Sequence, residues 1–232
     1  MKRSTAQEMM DMPGNPPDLL ADDLSNLRII NRYLGGYRGV LRALGSLTAE
    51  HDLDNFSLLD VGTGSGDIPV AIAMWARRKR LTARIIALDP EPLTVQTAVD
   101  QTREYPEIGV VRGDGMTLPF EPASFDFVLS SQMLHHFSEE AILAMLESWS
   151  QVARRAIIVS DLVRHPVAYH GIRLLTRVFT RNIMTQTDGP LSVQRAFSLN
   201  EWRNLFARAG VGSFRVFPSF PFRQTTLISV GR

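Results

Sequence analysis

The chain has 232 residues, 44% of them hydrophobic, enough for one large α/β core, and no break in composition marks a linker. Its longest uninterrupted apolar stretch, IPVAIAMWA at 68–76, is far short of the ~18 residues of a membrane span, and the lack of any cysteine excludes disulfides, thiolate metal sites and a cysteine nucleophile. The formal charge of +1 hides an asymmetry: residues 1–150 carry 13 Lys and Arg against 21 Asp and Glu, whereas residues 151–232 carry 12 against 3.

The start, MKRSTAQEMMDMPGNPP, has two basic residues but no apolar segment behind them. No secretory leader is expected, the location is expected to be cytoplasmic, and this Pro-rich stretch is expected to be mobile. Residues 18–45 repeat Leu24, Leu27, Ile30 and Leu34 at helical spacing and break at Gly35-Gly36, which predicts two helices with a hinge. FSLLDV at 56–61 is the first buried strand, and a glycine loop feeds a helix that tolerates Pro69 in its first turn. Strands follow at 83–89 (ARIIALD), 108–114 (IGVVRGD), 125–131 (FDFVLSS) and 154–161 (RRAIIVSD), with helices between them. Ser138 caps one helix, with Glu139 and Glu140 in its first turn. Ser198 and Glu201 form a capping box ahead of Trp202, Leu205, Phe206 and Ala209, and Gly210 stops that helix. GSFRVFPSF and QTTLISVG then read as a terminal hairpin. Strand and helix in alternation imply a mostly parallel sheet covered on both faces.

Ligands of such sheets sit at the carboxyl ends of the strands. There the chain reads LLDVGTGSGD, with Gly62, Gly64 and Gly66 spaced G-x-G-x-G. A dinucleotide loop is G-x-G-x-x-G, so the spacing argues against a nicotinamide oxidoreductase. Asp60, two residues ahead of Gly62, would repel a pyrophosphate and suits a cationic ligand. S-adenosylmethionine, with a sulfonium and an ammonium against one carboxylate, has such a cationic half. Asp89 ends the second strand, where a carboxylate can accept from ribose hydroxyls, and Asp114 ends the third, where it can accept from an adenine amino group with Met116 against the ring.

Asp60 to Gly66 match the D/E-x-G-x-G-x-G pattern of the class I S-adenosylmethionine-dependent methyltransferases at every defined position, and residues 56–232 resemble that family. LPF after Asp114 and the FDFVLSSQMLHHF segment resemble its small-molecule branch, including bacterial polyketide-tailoring and quinone-biosynthesis methyltransferases. NRYLGGYRGVL and DGPLSVQRAFSLNEW are similar to enzymes that tailor aromatic polyketides in secondary metabolism. The resemblance implies a Rossmann-like, doubly wound sheet of seven strands, six parallel, with a C-terminal antiparallel hairpin. Residues 1–50 would form a helical lid and residues 51–232 the methyltransferase domain, with a substrate-side insertion at about 162–197. The cofactor would be S-adenosylmethionine, held by Asp60, Gly62, Thr63, Gly64, Gly66, Asp89, Pro90, Asp114, Gly115 and Met116. Ser130 and Ser131 would stand near its methionine end, with Asn31 and Arg32 closing over it.

The expected reaction is methyl transfer to a hydroxyl of a small aromatic or polyketide-type metabolite. A hydroxyl must lose a proton, and His135 and His136 follow the fourth strand on the ligand side, as a base would. His165, Tyr169 and His170 form a second cluster for binding the acceptor. Arg173, Arg177 and Arg181 recur every four residues, as on a solvated helix face, and the basic excess of the later third suggests an anionic acceptor. The alternatives are carbon methylation of a quinone precursor and a non-catalytic S-adenosylmethionine-binding protein. The absence of [DN]PP[YF] after the fourth strand argues against amino-directed methylation. Asp161 alone is a poor match to the acid cluster of catechol-type enzymes, so no metal is expected, and without an Arg/Lys-aromatic tract nucleic acid is not expected as a partner.

Overall fold

The computed structural model describes residues 1–231. Helices α1 (Pro17–Tyr33) and α2 (Gly36–Glu50) precede β1 (Asn55–Val61), α3 (Asp67–Lys79), β2 (Thr82–Asp89), α4 (Pro92–Thr102) and β3 (Ile108–Arg112). Then come β4 (Phe125–Ser131), α5 (Glu139–Val152), β5 (Ala153–Leu162), α6 (Pro166–Phe179), α7 (Ile183–Arg195), α8 (Leu199–Ala209), β6 (Gly212–Ser219) and β7 (Arg223–Val230). The seven strands lie in the order β3-β2-β1-β4-β5-β7-β6. All pairings among the first five are parallel, and β7 runs antiparallel to both of its neighbours. That is the expected sheet of six parallel strands and one antiparallel.

Alternation along the strands sorts their side chains between two cores, because successive residues of a strand point to opposite faces. Leu58, Phe127 and Ile158 face one core, with α2 and α3. Leu59, Val128 and Ile157 face the other, where α5 and α8 bring in Trp149, Trp202 and Phe206. Trp202 is fully buried and its indole N–H donates to Leu162 O at 3.2 Å; truncating such a side chain to Ala typically costs ~3–5 kcal/mol.

From β1 the chain builds outward through β2 to β3, then returns to place β4 on the other side of β1. The resulting switch point between β1 and β4 opens a crevice at their carboxyl ends, where ligands of open α/β sheets bind.

The N-terminal region departs from expectation in two ways. Helix α2 is a core helix, since Val40, Leu44 and Leu47 pack beneath the sheet with Ile72 and Trp75, so only the segment before Gly35 lies over the crevice. Gly35 has φ 80° with Phe220 O 2.8 Å from where a Cβ would stand, so no other residue fits this joint without strain. The first sixteen residues, expected to be mobile, are instead held against α7: Met9 and Met10 N–H both donate to the Asp188 carboxylate at 2.9 Å, and Arg3 Nε donates to Arg195 O at 2.6 Å. Helix α7 has no clean sequence signal, because Gly189-Pro190 reads as a turn. It packs against α6, where a Cβ at Gly189 would meet Ile172 and Thr176 at an ordinary contact distance of 3.4 Å.

Candidate active site

The crevice is a cavity of about 780 Å³, within the size range of small-ligand sites. One end is built from the glycine loop. Gly62, Gly64 and Gly66 all have positive φ, a backbone region that glycine enters without steric cost. Gly62 packs on Met133 so closely that a Cβ would collide with it, whereas a Cβ at Gly64 would meet nothing within 4 Å. The loop is drawn onto β2 by Gly62 and Thr63 N–H donating to Leu88 O at 2.9 and 3.0 Å. Asp89 accepts from Gly64 N–H at 3.0 Å and from Glu91 N–H at 3.1 Å.

Asp60 is buried, with one carboxylate oxygen taking the Thr63 hydroxyl at 2.7 Å and the other without a hydrogen bond among the described residues. Burial pushes its carboxyl up to about 7, against the lowering effect of the Thr63 hydrogen bond. Burial likewise raises Asp89 to about 6. An open cradle above Gly64, an unpaired acid below it and a second acid at the end of β2 fit S-adenosylmethionine, whose cationic half would supply what Asp60 lacks. Across the mouth, Gln132 Nε2 donates to Asn31 Oδ1 at 2.5 Å and Asn31 Nδ2 donates to Asp67 Oδ2 at 3.0 Å, tying α1 to the loop.

The other end is built around His135 and His136, in a 3-10 turn after β4. The His135 ring is buried, its Nδ1 2.7 Å from Asp161 Oδ1 at the end of β5. His136 Nδ1 lies 2.7 Å from Asp11 Oδ2. Each imidazole is therefore fixed at Nδ1 by a carboxylate, which in its ionised form can only accept; when the ring is neutral with its proton on Nδ1, Nε2 offers a lone pair. Both Nε2 atoms lie 3.8 Å from a carboxylate oxygen of buried Glu8. Glu8 Oε2 accepts from Ser192 Oγ at 2.8 Å, and Oε1 has no hydrogen bond among the described residues. Burial raises Glu8 to about 7, with the His136 charge and the Ser192 hydroxyl pulling the other way. Asp11 is held below the ordinary carboxylate value: burial opposes this, but the His136 hydrogen bond and charge prevail.

Of the residues expected at the site, Asp60, Gly62, Thr63, Gly64, Asp89, Pro90, Ser131, His135 and His136 line the cavity. Gly66 caps α3 behind the loop, and Ser130 is buried at the end of β4. Other expected residues lie elsewhere. Asp114 and Met116 are exposed beyond the end of β3, with Asp114 accepting from Met116 N–H at 2.8 Å. Gly115 packs against Val61, and its carbonyl accepts from Trp149 Nε1 at 2.8 Å. Arg32 is exposed and lies over Tyr33, leaving its neighbour Asn31 to face the cavity.

The second cluster also turns away from the cavity. His165 caps α6 by accepting from Val167 N–H at 3.2 Å and stacks on Phe222, while Tyr169 and His170 meet edge to face. Helix α6 reaches the cavity instead through Val167, Ala168, Gly171, Ile172 and Leu175. Arg173, Arg177 and Arg181 are solvent-exposed. The wall near the imidazoles carries Glu8, Asp11 and Asp188, with Arg195 of the basic later third 3.5 Å from Glu8. Arg223 is on the wall, buried, lowered by that burial to about 10, and with Nη1 unpaired among the described residues. Sequence reasoning missed Glu8, Asp11, Asp188 and Arg223, none of which sits in a local motif.

Residues 58–156 match the methyltransferase domain family. Over 145 residues the chain is 30% identical to the carboxy-S-adenosyl-L-methionine synthase of Pseudomonas entomophila, covering 59% of this chain and 57% of that protein. The fold is similar to that of a SAM dependent methyltransferase from Aquifex aeolicus (TM-score 0.65, 17% identity, 94% of this chain and 100% of that one). It is also similar to human N-acetylserotonin methyltransferase in complex with SAM (TM-score 0.66, 20% identity, 94% of this chain and 57% of that one). Among the described residues no helix is long and apolar enough to cross a membrane. Residues 58–156 thus match the methyltransferase domain family, on a chain whose fold is similar to that of SAM dependent methyltransferases.

Proposed function

We propose that the protein is an S-adenosylmethionine-dependent methyltransferase acting on a hydroxyl of a small aromatic or polyketide-type metabolite. The observation that carries this reading is that the glycine loop with Asp60 and the pair His135 and His136 line one cavity. When bound, S-adenosylmethionine supplies an electrophilic methyl group on its sulfonium. Asp60, Asp89 and the backbone at Gly64 hold and orient the cofactor. Alignment of this kind, with reacting atoms held near contact, can account for ~7–11 kcal/mol of a barrier.

Leu24, Leu27, Ile30, Ile172 and Leu175 give the space between the two ends an apolar lining that suits a flat hydrocarbon body and excludes water. His135 and His136, each braced by a carboxylate, deal with the hydroxyl proton. Arg223 offers a partner to a carboxylate on either ligand. The acids around the imidazoles give no support to the anionic acceptor expected from the charge count.

The test is release of S-adenosylhomocysteine across a panel of phenols, with the products analysed by mass spectrometry. Turnover should require a hydroxylated aromatic and yield a methyl ether. Methylation at ring carbon would overturn the hydroxyl assignment in favour of a quinone-type acceptor. Tight cofactor binding without turnover on any phenol would favour a non-catalytic role.

A further inference from the structure

Three lone-pair donors meet at the acceptor end of the cavity with nothing to separate them. The Nε2 atoms of His135 and His136 and a carboxylate oxygen of Glu8 all lie within 4.8 Å of one another. Asp161 and Asp11 occupy the Nδ1 sides of the rings at 2.7 Å, which leaves each Nε2 as the ring atom that can bind a cation. Glu8 is 1% exposed, and its Oε1 accepts no hydrogen bond among the described residues. Buried acceptors facing one another are unfavourable until a cation stands between them. The nearest charged side chain, Arg195, has Nε 3.5 Å from Glu8 Oε1, but its terminal nitrogens are turned to the carbonyls of Ala6 and His136.

We propose that Glu8, His135 and His136 bind one divalent transition-metal ion of the zinc type. Two imidazoles and one carboxylate make a donor set suited to zinc or cobalt; calcium and magnesium prefer oxygen alone. A tetrahedral ion with bonds of 2.0–2.1 Å holds its ligands ~3.4 Å apart; His135 Nε2 lies 3.8 Å from Glu8 Oε1 and His136 Nε2 3.8 Å from Glu8 Oε2, and a set with one oxygen of Glu8, now within 4.8 Å, would draw in to that spacing. Asp161 and Asp11 supply the carboxylate-imidazole contacts that orient and strengthen histidine ligands. The acidic surroundings, Asp11, Asp161 and Asp188 against Arg195 and Arg3, favour a cation. The positions left open face the cavity, where an oxygen of the acceptor or a water would complete the shell.

With the ion in place, the imidazoles would meet the acceptor through the metal rather than as free bases. Sequence reasoning argued against metal because it sought acids only after the fourth and fifth strands, whereas the carboxylate ligand comes from residue 8. The inference goes beyond methyl transfer and is tested without cofactor or acceptor, so either reading can fail alone.

The experiment uses the full chain without an affinity tag, stripped with a chelator and titrated with Co²⁺ while the visible d–d bands are followed, then with Zn²⁺ in competition. One ion per chain is expected, with Zn²⁺ abolishing the cobalt bands. Glu8→Gln and His136→Ala should each remove most of the affinity, and Asp11→Asn should weaken it roughly 10–100-fold by loosening the ring of His136. Circular dichroism would check that each variant is folded; His136 is at the cavity surface, so its variant remains informative if Glu8→Gln does not fold. A wild-type protein without saturable Co²⁺ or Zn²⁺ binding would overturn the proposal, as would binding unchanged in Glu8→Gln and His136→Ala.

Discussion

The two ends of the cavity are made in different ways. At the cofactor end, Asp60, Gly62 and Gly64 lie within five consecutive residues, and Asp89 reaches them through one strand pairing. At the acceptor end, Glu8 meets His136 across 128 positions, and Met9 meets Asp188 across 179. A loop set by local backbone geometry announces itself in sequence through glycine spacing and a neighbouring acid. A cluster assembled by tertiary docking has no such signature, because each member is an ordinary polar residue until the fold joins them.

The largest expected effect tests whether the acceptor end carries chemistry. His136→Ala should lower turnover ~10²–10⁴-fold, the range for removing a group that handles a reacting proton, while the cofactor dissociation constant measured by calorimetry stays the same. The loss should shrink for acceptors already ionised at the assay pH. Equal losses for phenols of different acidity would instead make His136 a positioning residue, and a parallel loss of cofactor affinity would end the separation of the two ends.

The next effect isolates the docking of the N-terminal segment. Asp188→Ala removes the carboxylate that receives Met9 and Met10 N–H, and one hydrogen bond to a charged group is worth ~1.5–3 kcal/mol. Acceptor-dependent kcat/KM should fall about 10–100-fold with cofactor binding little changed, and limited proteolysis should now cut before residue 16. A truncation meant to ask the same question should stop there. Cutting at residue 45 would strip Val40 and Leu44 from the core beneath the sheet and unfold the protein rather than uncover the site.

The cofactor end has its own variant. If Asp89 takes the ribose hydroxyls, as proposed, Asp89→Ala should weaken S-adenosylmethionine binding by at least about tenfold, since the variant also loses the bond its carboxylate accepts from Gly64 N–H. NADH should not bind to either form. An unchanged calorimetric affinity would falsify the ribose assignment.

How much could be read in advance follows the same division. The strands, the switch point and the capping box of α8 were legible because periodicity and capping are local, and so was the loop. Asp114 accepts from Met116 N–H of its own turn, a use that an acid at a strand end can have and that the sequence does not separate from facing the crevice. One helical position turns Arg32 to solvent and Asn31 toward the cavity. His165 caps α6, a use of the ring that sequence cannot distinguish from binding. The basic helix face of α6 was read as solvated, and that is where its arginines are.

The smallest effect concerns pH and tests whether the acids of the cofactor end are set for a cationic ligand. With the site empty, burial raises Asp60 to about 7 and Asp89 to about 6, from 3.8. Between about pH 4 and pH 7 the folded chain therefore keeps protons that the unfolded chain has released, so the empty protein should lose stability as pH rises through that window. A bound sulfonium and ammonium favour the carboxylate, so binding should expel a proton from Asp60, and affinity should climb with pH and level off above about 7. From Asp60 alone the gain between pH 6 and pH 7 is about fivefold. Calorimetry at pH 6 in two buffers of different ionisation enthalpy should register the released proton, and the stabilisation conferred by the cofactor should grow from pH 5 to pH 7. Affinity that is flat across this range, with no dependence on the buffer, would mean that Asp60 is already ionised in the empty protein. The loop would then owe its preference for a cation to a standing charge, not to one created as the ligand arrives.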